Sequence, residues 1–162
     1  MKSLLKQKNK FSDISYQLEV LNEGVTSQGL PHFSSKLVES DLFPLQPTGL
    51  DVFQINMGKM CNQVCAHCHV DAGPDRKEIM TKETLEQCLI AIRNSSIKTV
   101  DLTGGAPEMN PHFRWFVEQV YKLGCKVMVR CNLTIIVANK KYYDLPEFYK
   151  NNEVEIVSSL PH

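Results

Sequence analysis

The sequence predicts an α/β fold built on a parallel sheet, and three observations predict it. Short β-branched runs recur from residue 50 onward, segments of helical period separate them, and glycine or proline falls at their junctions. Strand and helix alternating in this way is the signature of right-handed βαβ units. Ligands of such folds bind beyond the carboxyl ends of the strands, on the loops that lead into the helices. Those loops are where chemistry is to be sought.

Residues 50–57 alternate apolar and polar like a strand. After Gly73-Pro74-Asp75, Thr81 is placed to cap a helix with Thr84 in its first turn, and Leu85, Cys88, Leu89 and Ile92 recur at helical spacing. Residues 97–102 form a second strand that ends in Thr103-Gly104-Gly105-Ala106-Pro107-Glu108. Phe113, Phe116, Val117, Val120, Tyr121 and Leu123 mark a second helix, closed by Gly124. Residues 125–129 read as the third strand, 145–150 as a short helix and 154–158 as the fourth strand. Ahead of this, residues 1–49 read as an irregular N-terminal arm, with short helices around residues 14–21 and 34–40. It ends in Phe43-Pro44-Leu45-Gln46-Pro47-Thr48-Gly49, which breaks regular structure. Its expected role is a packing or lid segment without chemistry.

At 162 residues and 43% hydrophobic content the chain is long enough for one ordinary domain with a core. Its formal net charge is zero, so no global field favours nucleic acid or an anionic membrane, and neither is an expected partner. Six cysteines are an even number, but the chain lacks the small, loop-rich character of a disulfide scaffold, and a reducing compartment fits better. The basic start runs into Phe11-Ser12-Asp13 with no apolar core of a signal peptide. Nothing approaches the roughly 18 consecutive apolar residues of a membrane span. The expected location is the cytoplasm.

The densest chemistry lies in Met60-Cys61-Asn62-Gln63-Val64-Cys65-Ala66-His67-Cys68-His69, three cysteines spaced C-x3-C-x2-C after the first strand. Soft thiolates select iron–sulfur clusters, zinc or Cu(I), and a cubane [4Fe–4S] cluster usually takes four of them. Three thiolates leave one iron open to a small molecule, as an open zinc site leaves its fourth position. Other readings share these residues. Cys65 to His69 spells the C-x-x-C-H pattern of c-type haem attachment, and Cys65-x-x-Cys68 alone spells a redox dithiol. The three cysteines with His67 or His69 could make a Cys3His zinc site, and buried thiols could simply fill a core. The predicted topology brings the cysteine loop to one rim with residues 104–108, 130–134 and 158–161, which a zinc knuckle would not require. A cytoplasmic location counts against haem.

Gly104 and Gly105 follow a buried strand directly, where backbone must approach something closely or adopt positive φ. Exposed amides in this turn would bind a carboxylate, and Glu108 could accept hydrogen bonds from an ammonium group. An amino-acid moiety presents both. The plainer alternative is a tight βα turn with Glu108 as a solvated acid. Neither a P-loop nor a dinucleotide fingerprint is present.

Together, Cys61-x3-Cys65-x2-Cys68 and Gly104-Gly105-x-Pro107 resemble the radical S-adenosylmethionine (SAM) superfamily. The resemblance implies a partial (β/α) TIM-like barrel, of which about four βα units are present. It further implies a [4Fe–4S] cluster on Cys61, Cys65 and Cys68, and SAM chelated to the remaining iron and cleaved reductively to a 5′-deoxyadenosyl radical. Gly104, Gly105 and Glu108 would hold the methionine end of SAM. His67, in a place usually aromatic, would lie near the adenosine end with Asn132 and Ser158. A small-molecule substrate and a reductase or flavodoxin-type electron donor would be the partners. No general acid or base is called for, since the radical chemistry belongs to the cofactor.

The wording from Asn56-Met57-Gly58-Lys59-Met60-Cys61 through Cys68-His69-Val70-Asp71-Ala72-Gly73-Pro74, then Leu102-Thr103-Gly104-Gly105-Ala106-Pro107-Glu108 and Arg130-Cys131-Asn132-Leu133-Thr134, is similar to one branch. That branch is the radical SAM/Cys-rich proteins, which include arsenosugar-biosynthesis enzymes linked to joining a 5′-deoxyadenosyl group to methylated arsenic. Two departures stand out. The usual Gly-Gly-Glu reads Gly104-Gly105-Ala106, and the chain stops at His162 just past strand four. The expectation is therefore that residues 50–162 are the N-terminal part of a radical SAM domain, truncated before the Cys-rich part and impaired as an enzyme. Cys88 and Cys125 read as core, Cys131 as a rim residue without a clear role, and His32, His112 and His162 have no identifiable partner.

Overall fold

The computed structural model describes residues 3–27 and 29–159. The chain divides into two compact units, Leu4–Gly49 and Leu50–His162, with Ser3 belonging to the second. The first unit is more regular than an arm. After a 3-10 turn at Lys10–Ser12 it carries helix α1, Ile14–Ser27, and helix α2, Phe33–Glu39. The Asp13 carboxylate accepts from Tyr16 N at 2.9 Å and so caps the start of α1. The helix then continues six residues beyond the expected end at Leu21.

The second unit holds strands β1 (Val52–Asn56), β2 (Thr99–Thr103), β3 (Lys126–Arg130) and β4 (Glu155–Val157), joined by helices α3 (Lys82–Arg93), α4 (Phe113–Lys122), α5 (Thr134–Ala138) and α6 (Leu145–Asn151). All three strand pairs are parallel, in the order β1-β2-β3-β4. A sheet that steps in one direction through right-handed crossovers collects its connecting helices on one face. Among the described residues it is a partial β/α sheet, with β1 and β4 at its edges and no closure into a barrel.

Local chemistry accounts for most boundaries. Thr81 Oγ1 accepts from Thr84 N at 3.3 Å and caps α3, whose Leu85, Leu89 and Ile92 are buried. Gly124 adopts φ +76° just past α4 and donates its amide to Tyr121 O at 2.9 Å, the left-handed turn that ends a helix cheaply. Helix α5 was not anticipated. Its Thr-Ile-Ile-Val run is β-branched and intrinsically a poor helix, and burial of Ile135 overrides that preference.

Strand side chains alternate between faces. In register, Phe53, Val100 and Val127 form one row and Ile55, Leu102 and Val129 the next. These rows pack with Leu85 and Leu89 of α3 and Phe116, Val117 and Val120 of α4 in one core. Full burial of each such side chain stabilises the fold by about 1.5–3 kcal/mol. The opposite face is polar: Asp101 accepts from Gln54 Nε2 at 2.8 Å and from Arg130 Nη2 at 2.8 Å. Among the described residues no helix is long and apolar enough to cross a membrane.

Candidate metal centre

The cysteine loop leaves β1 at Met57 and returns at Met80, and its neck is tied from both sides. Met57 N donates to Thr103 O at 2.9 Å and Met80 N to Met57 O at 3.0 Å, while Lys59 N reaches Glu78 O at 2.8 Å. Asn110, buried at 3% exposure, donates through Nδ2 to Met57 O at 3.1 Å and to Met80 O at 2.9 Å. Further out, Cys61 N donates to Gly73 O at 3.2 Å and Gly73 N to Lys59 O at 3.1 Å. The buried Arg76 guanidinium donates to Asp71 Oδ2 at 2.6 Å, to Asp71 O at 3.1 Å and to Glu78 Oε1 at 2.6 Å. That fork closes the far side of the loop. Sequence reasoning missed both anchors. Arg76 stands in a polar run that reads as solvated, and nothing local marks Asn110.

Within the loop Cys61 is buried, Cys65 and Cys68 are half-buried, and His67 and His69 are exposed. Cys68 N donates to Cys65 O at 3.1 Å in a tight turn. Three N–H groups address the sulfurs: Gln63 N and Asn132 Nδ2 each lie 3.4 Å from Cys61 Sγ, and Ala72 N lies 3.3 Å from Cys68 Sγ. Burial pushes the Cys61 thiol pKa up, the Gln63 amide opposes it, and the neighbouring Cys65 and Cys68 push it up further. Several thiolates close together repel, and a bound metal's positive charge reverses that penalty.

Among the described residues no three His, Cys, Asp or Glu side chains are arranged to hold a metal ion. A Cys3His zinc site needs such convergence on one point. A cubane asks for something different, because each thiolate binds its own iron and the sulfurs stand further apart. The half-buried cysteines and the N–H donors aimed at two of their sulfurs fit a group of that kind.

The diglycine turn corrects one expectation. Two of its amides are already taken: Gly105 N donates to Gly58 O and Ala106 N to Met60 O, both at 2.9 Å. The glycines are needed because the cysteine loop lies directly on them. A Cβ on Gly105 would meet Met60 O at 2.3 Å, and one on Gly104, which has φ +131°, would meet Gly58 O at 2.5 Å. The turn is the seat of the loop.

Glu108 is not a solvated acid. It is 6% exposed, its Oε1 accepts from Tyr149 at 2.6 Å, and its Oε2 is buried without a hydrogen-bond partner. Burial first, then the Glu108 charge, pushes the Tyr149 and Cys131 pKa values up. Cys131 is accordingly an unreactive, buried thiol at the rim. Tyr149 had no signal in the sequence.

The Asn132 amide nitrogen reaches Cys61 Sγ at 3.4 Å and Asn62 Oδ1 at 3.1 Å. The 130–134 loop therefore joins the cysteine loop and the diglycine turn. Cys131 N also donates to Val157 O at 3.0 Å, which brings the end of β4 alongside. Ser158 is exposed, with its hydroxyl donating to Ser159 O at 3.5 Å; residues 160 and 161 of that expected fourth loop, and His162, lie outside the described residues. Cys88 and Cys125 are half-buried against the core. A cavity of 440 Å³ opens beside Lys126 and Glu153 at the amino end of β3, the far end of the strand from the cysteine loop.

No family model matches the chain. The subtilosin biosynthesis protein AlbA of Bacillus subtilis, an antilisterial bacteriocin biosynthesis protein, is 26% identical over 98 residues, covering 60% of this chain and 21% of AlbA. A probable GTP 3′,8-cyclase of Pyrococcus horikoshii is 37% identical over 54 residues, covering 33% of this chain and 17% of the cyclase. Both matches support the radical SAM superfamily. Neither supports the arsenosugar branch. The chain spans less than a quarter of the length of either relative.

Proposed function

We propose that this chain carries the cluster- and SAM-binding part of a radical SAM enzyme. Cys61, Cys65 and Cys68 would hold a [4Fe–4S] cluster, beside which SAM would bind. The chemistry such a group would supply is one-electron reductive cleavage of SAM, with the electron coming from an external reductase or flavodoxin-type donor. The chain's own residues bind and orient. Gly104 and Gly105 let the cysteine loop dock, and Glu108 Oε2, a buried carboxyl oxygen without a hydrogen-bond partner, would receive the SAM ammonium. His67 and Ser158 flank the adenosine end. The polar sheet face, with Asp101 and the half-exposed Arg130, is the surface offered to substrate.

One observation carries this reading: the three-cysteine loop is strapped backbone to backbone onto the diglycine turn, with N–H donors aimed at its sulfurs. Anaerobic reconstitution tests it. The expected product is a brown protein with about four irons and matching sulfide, lost in Cys61→Ser, Cys65→Ser and Cys68→Ser. Colourless stoichiometric zinc, or a haem Soret band, overturns it. SAM should perturb the spectrum of the reduced cluster, and weaker SAM binding in Glu108→Ala is expected; unchanged affinity removes the role given to Glu108.

For the acceptor we infer a methylated arsenic compound in a cytoplasmic reaction, on the strength of the loop wording at residues 56–74, 102–108 and 130–134 alone. A 5′-deoxyadenosyl–arsenic product detected by mass spectrometry supports it. Free 5′-deoxyadenosine as the sole product counts against it.

A further inference from the structure

Three polar side chains close a ring beside the cysteine loop. Asn132 Nδ2 donates to Asn62 Oδ1 at 3.1 Å, Asn62 Nδ2 donates to Thr134 Oγ1 at 2.9 Å, and Thr134 Oγ1 donates to Asn132 Oδ1 at 2.7 Å. Each group receives one hydrogen bond and gives one, all in the same sense around the ring. The two ends of an amide are told apart only by their partners. Here the Thr134 hydroxyl lies at one end of the Asn132 amide and the Cys61 sulfur, an acceptor once it ligates a metal, at the other, and that acceptor sets the nitrogen toward the cysteine loop. One N–H completes the ring and the second reaches Cys61 Sγ at 3.4 Å.

Holding the loops together does not require that second N–H. Asn62 and Thr134 already bridge the cysteine loop to the segment after β3. What the Asn132 amide adds is a dipole at a sulfur that also receives the Gln63 amide. Reduction of an iron–sulfur cluster places more negative charge on its thiolates, and donors to those sulfurs stabilise the reduced form.

We propose that Asn132 is a positioning residue which, oriented by Asn62 and Thr134, hydrogen-bonds the Cys61 thiolate and raises the reduction potential of the cluster bound there; this rests on the iron–sulfur reading above. The device joins the third βα loop to the first across 71 residues of chain. It makes the potential depend on a hydroxyl that never touches the sulfur.

The test uses the full chain, reconstituted anaerobically without SAM, as wild type, Asn132→Leu, Thr134→Val and Thr134→Ser. Iron and sulfide are assayed first, and the midpoint is then read by a dithionite titration followed by electron paramagnetic resonance. Leucine keeps the shape of asparagine without its hydrogen bonds; valine removes the hydroxyl that orients the amide; serine keeps it. The expected result is equal loading in all four, a more negative midpoint in Asn132→Leu and Thr134→Val, and the wild-type midpoint in Thr134→Ser. Loaded variants that all share the wild-type midpoint overturn the proposal. Should Asn132→Leu fail to fold, an unchanged midpoint in Thr134→Val overturns it equally. A wild-type chain that takes up no iron is a different failure, visible before any variant is compared, and removes the iron–sulfur reading together with this one.

Discussion

Tyr149 of α6 donates its phenolic hydrogen to Glu108 Oε1 at 2.6 Å, across 41 residues of sequence. Removing the phenol takes away the hydroxyl hydrogen bond that Oε1 accepts and leaves Oε2 buried and unpartnered as before. Tyr149→Phe should therefore destabilise the fold by about 1–3 kcal/mol. Pairing it with Glu108→Met, which takes away the stranded carboxylate, should recover part of that loss. Urea midpoints of wild type, Tyr149→Phe and the double variant check this, and a double variant no more stable than Tyr149→Phe would contradict it.

Gly105→Ala forces a Cβ to within 2.3 Å of the Met60 carbonyl, a backbone atom that cannot swing aside. The cysteine loop must lift from its seat, at a cost of about 1–3 kcal/mol for overpacking. Gly49→Ala, with nothing within 4 Å of its added methyl, should stay within about 0.5 kcal/mol of wild type. Equal stabilities for the two variants would show that the loop does not rest on the turn as described.

Asn110→Ala strips a donor from both Met57 O and Met80 O. A buried carbonyl left unpaired costs about 1–3 kcal/mol, and the neck of the cysteine loop should open more often. Hydrogen exchange by mass spectrometry should show faster uptake across residues 57–80 with little change in α4. Uniform acceleration over the whole sheet would instead mean global destabilisation.

The Arg76 guanidinium holds the Glu78 carboxyl down to about 2 from its ordinary 4.5. A depressed folded-state value means that the contribution is present above the ordinary value and is lost as pH falls through the window from 4.5 to about 2. Glu78 is half-exposed, so solvent screens the effect and it should be small. Between about pH 6 and about pH 3 the urea midpoint of wild type should fall more than that of Glu78→Gln. Parallel slopes would remove the ion pair from the acid response.

Much of this was legible in the chain itself. The strand rows Phe53/Val100/Val127 and Ile55/Leu102/Val129 follow from apolar alternation, and the Thr81 cap and Gly124 stop follow from side chains acting on backbone within four residues. The cysteine spacing and the diglycine turn could be read as well, because each is a contiguous pattern. Their relationship could not. Nothing local says that Gly105 carries the loop or that Asn132 turns its amide to Cys61, and the expectation of open amides at the turn failed for that reason.

What the sequence by itself determined is the alternation of the four strands with α3, α4 and α6 and the spacing of the three cysteines, since both are written in short-range periodicity and side-chain type. Only the tertiary structure decided which polar atoms face one another: Glu108 with Tyr149, Arg76 with Asp71 and Glu78, and Asn132 with Cys61. The physical reason is that burial removes water as a partner, so each of these groups must find its match wherever the packed backbone brings one within about 3 Å, and no one-dimensional pattern records that distance.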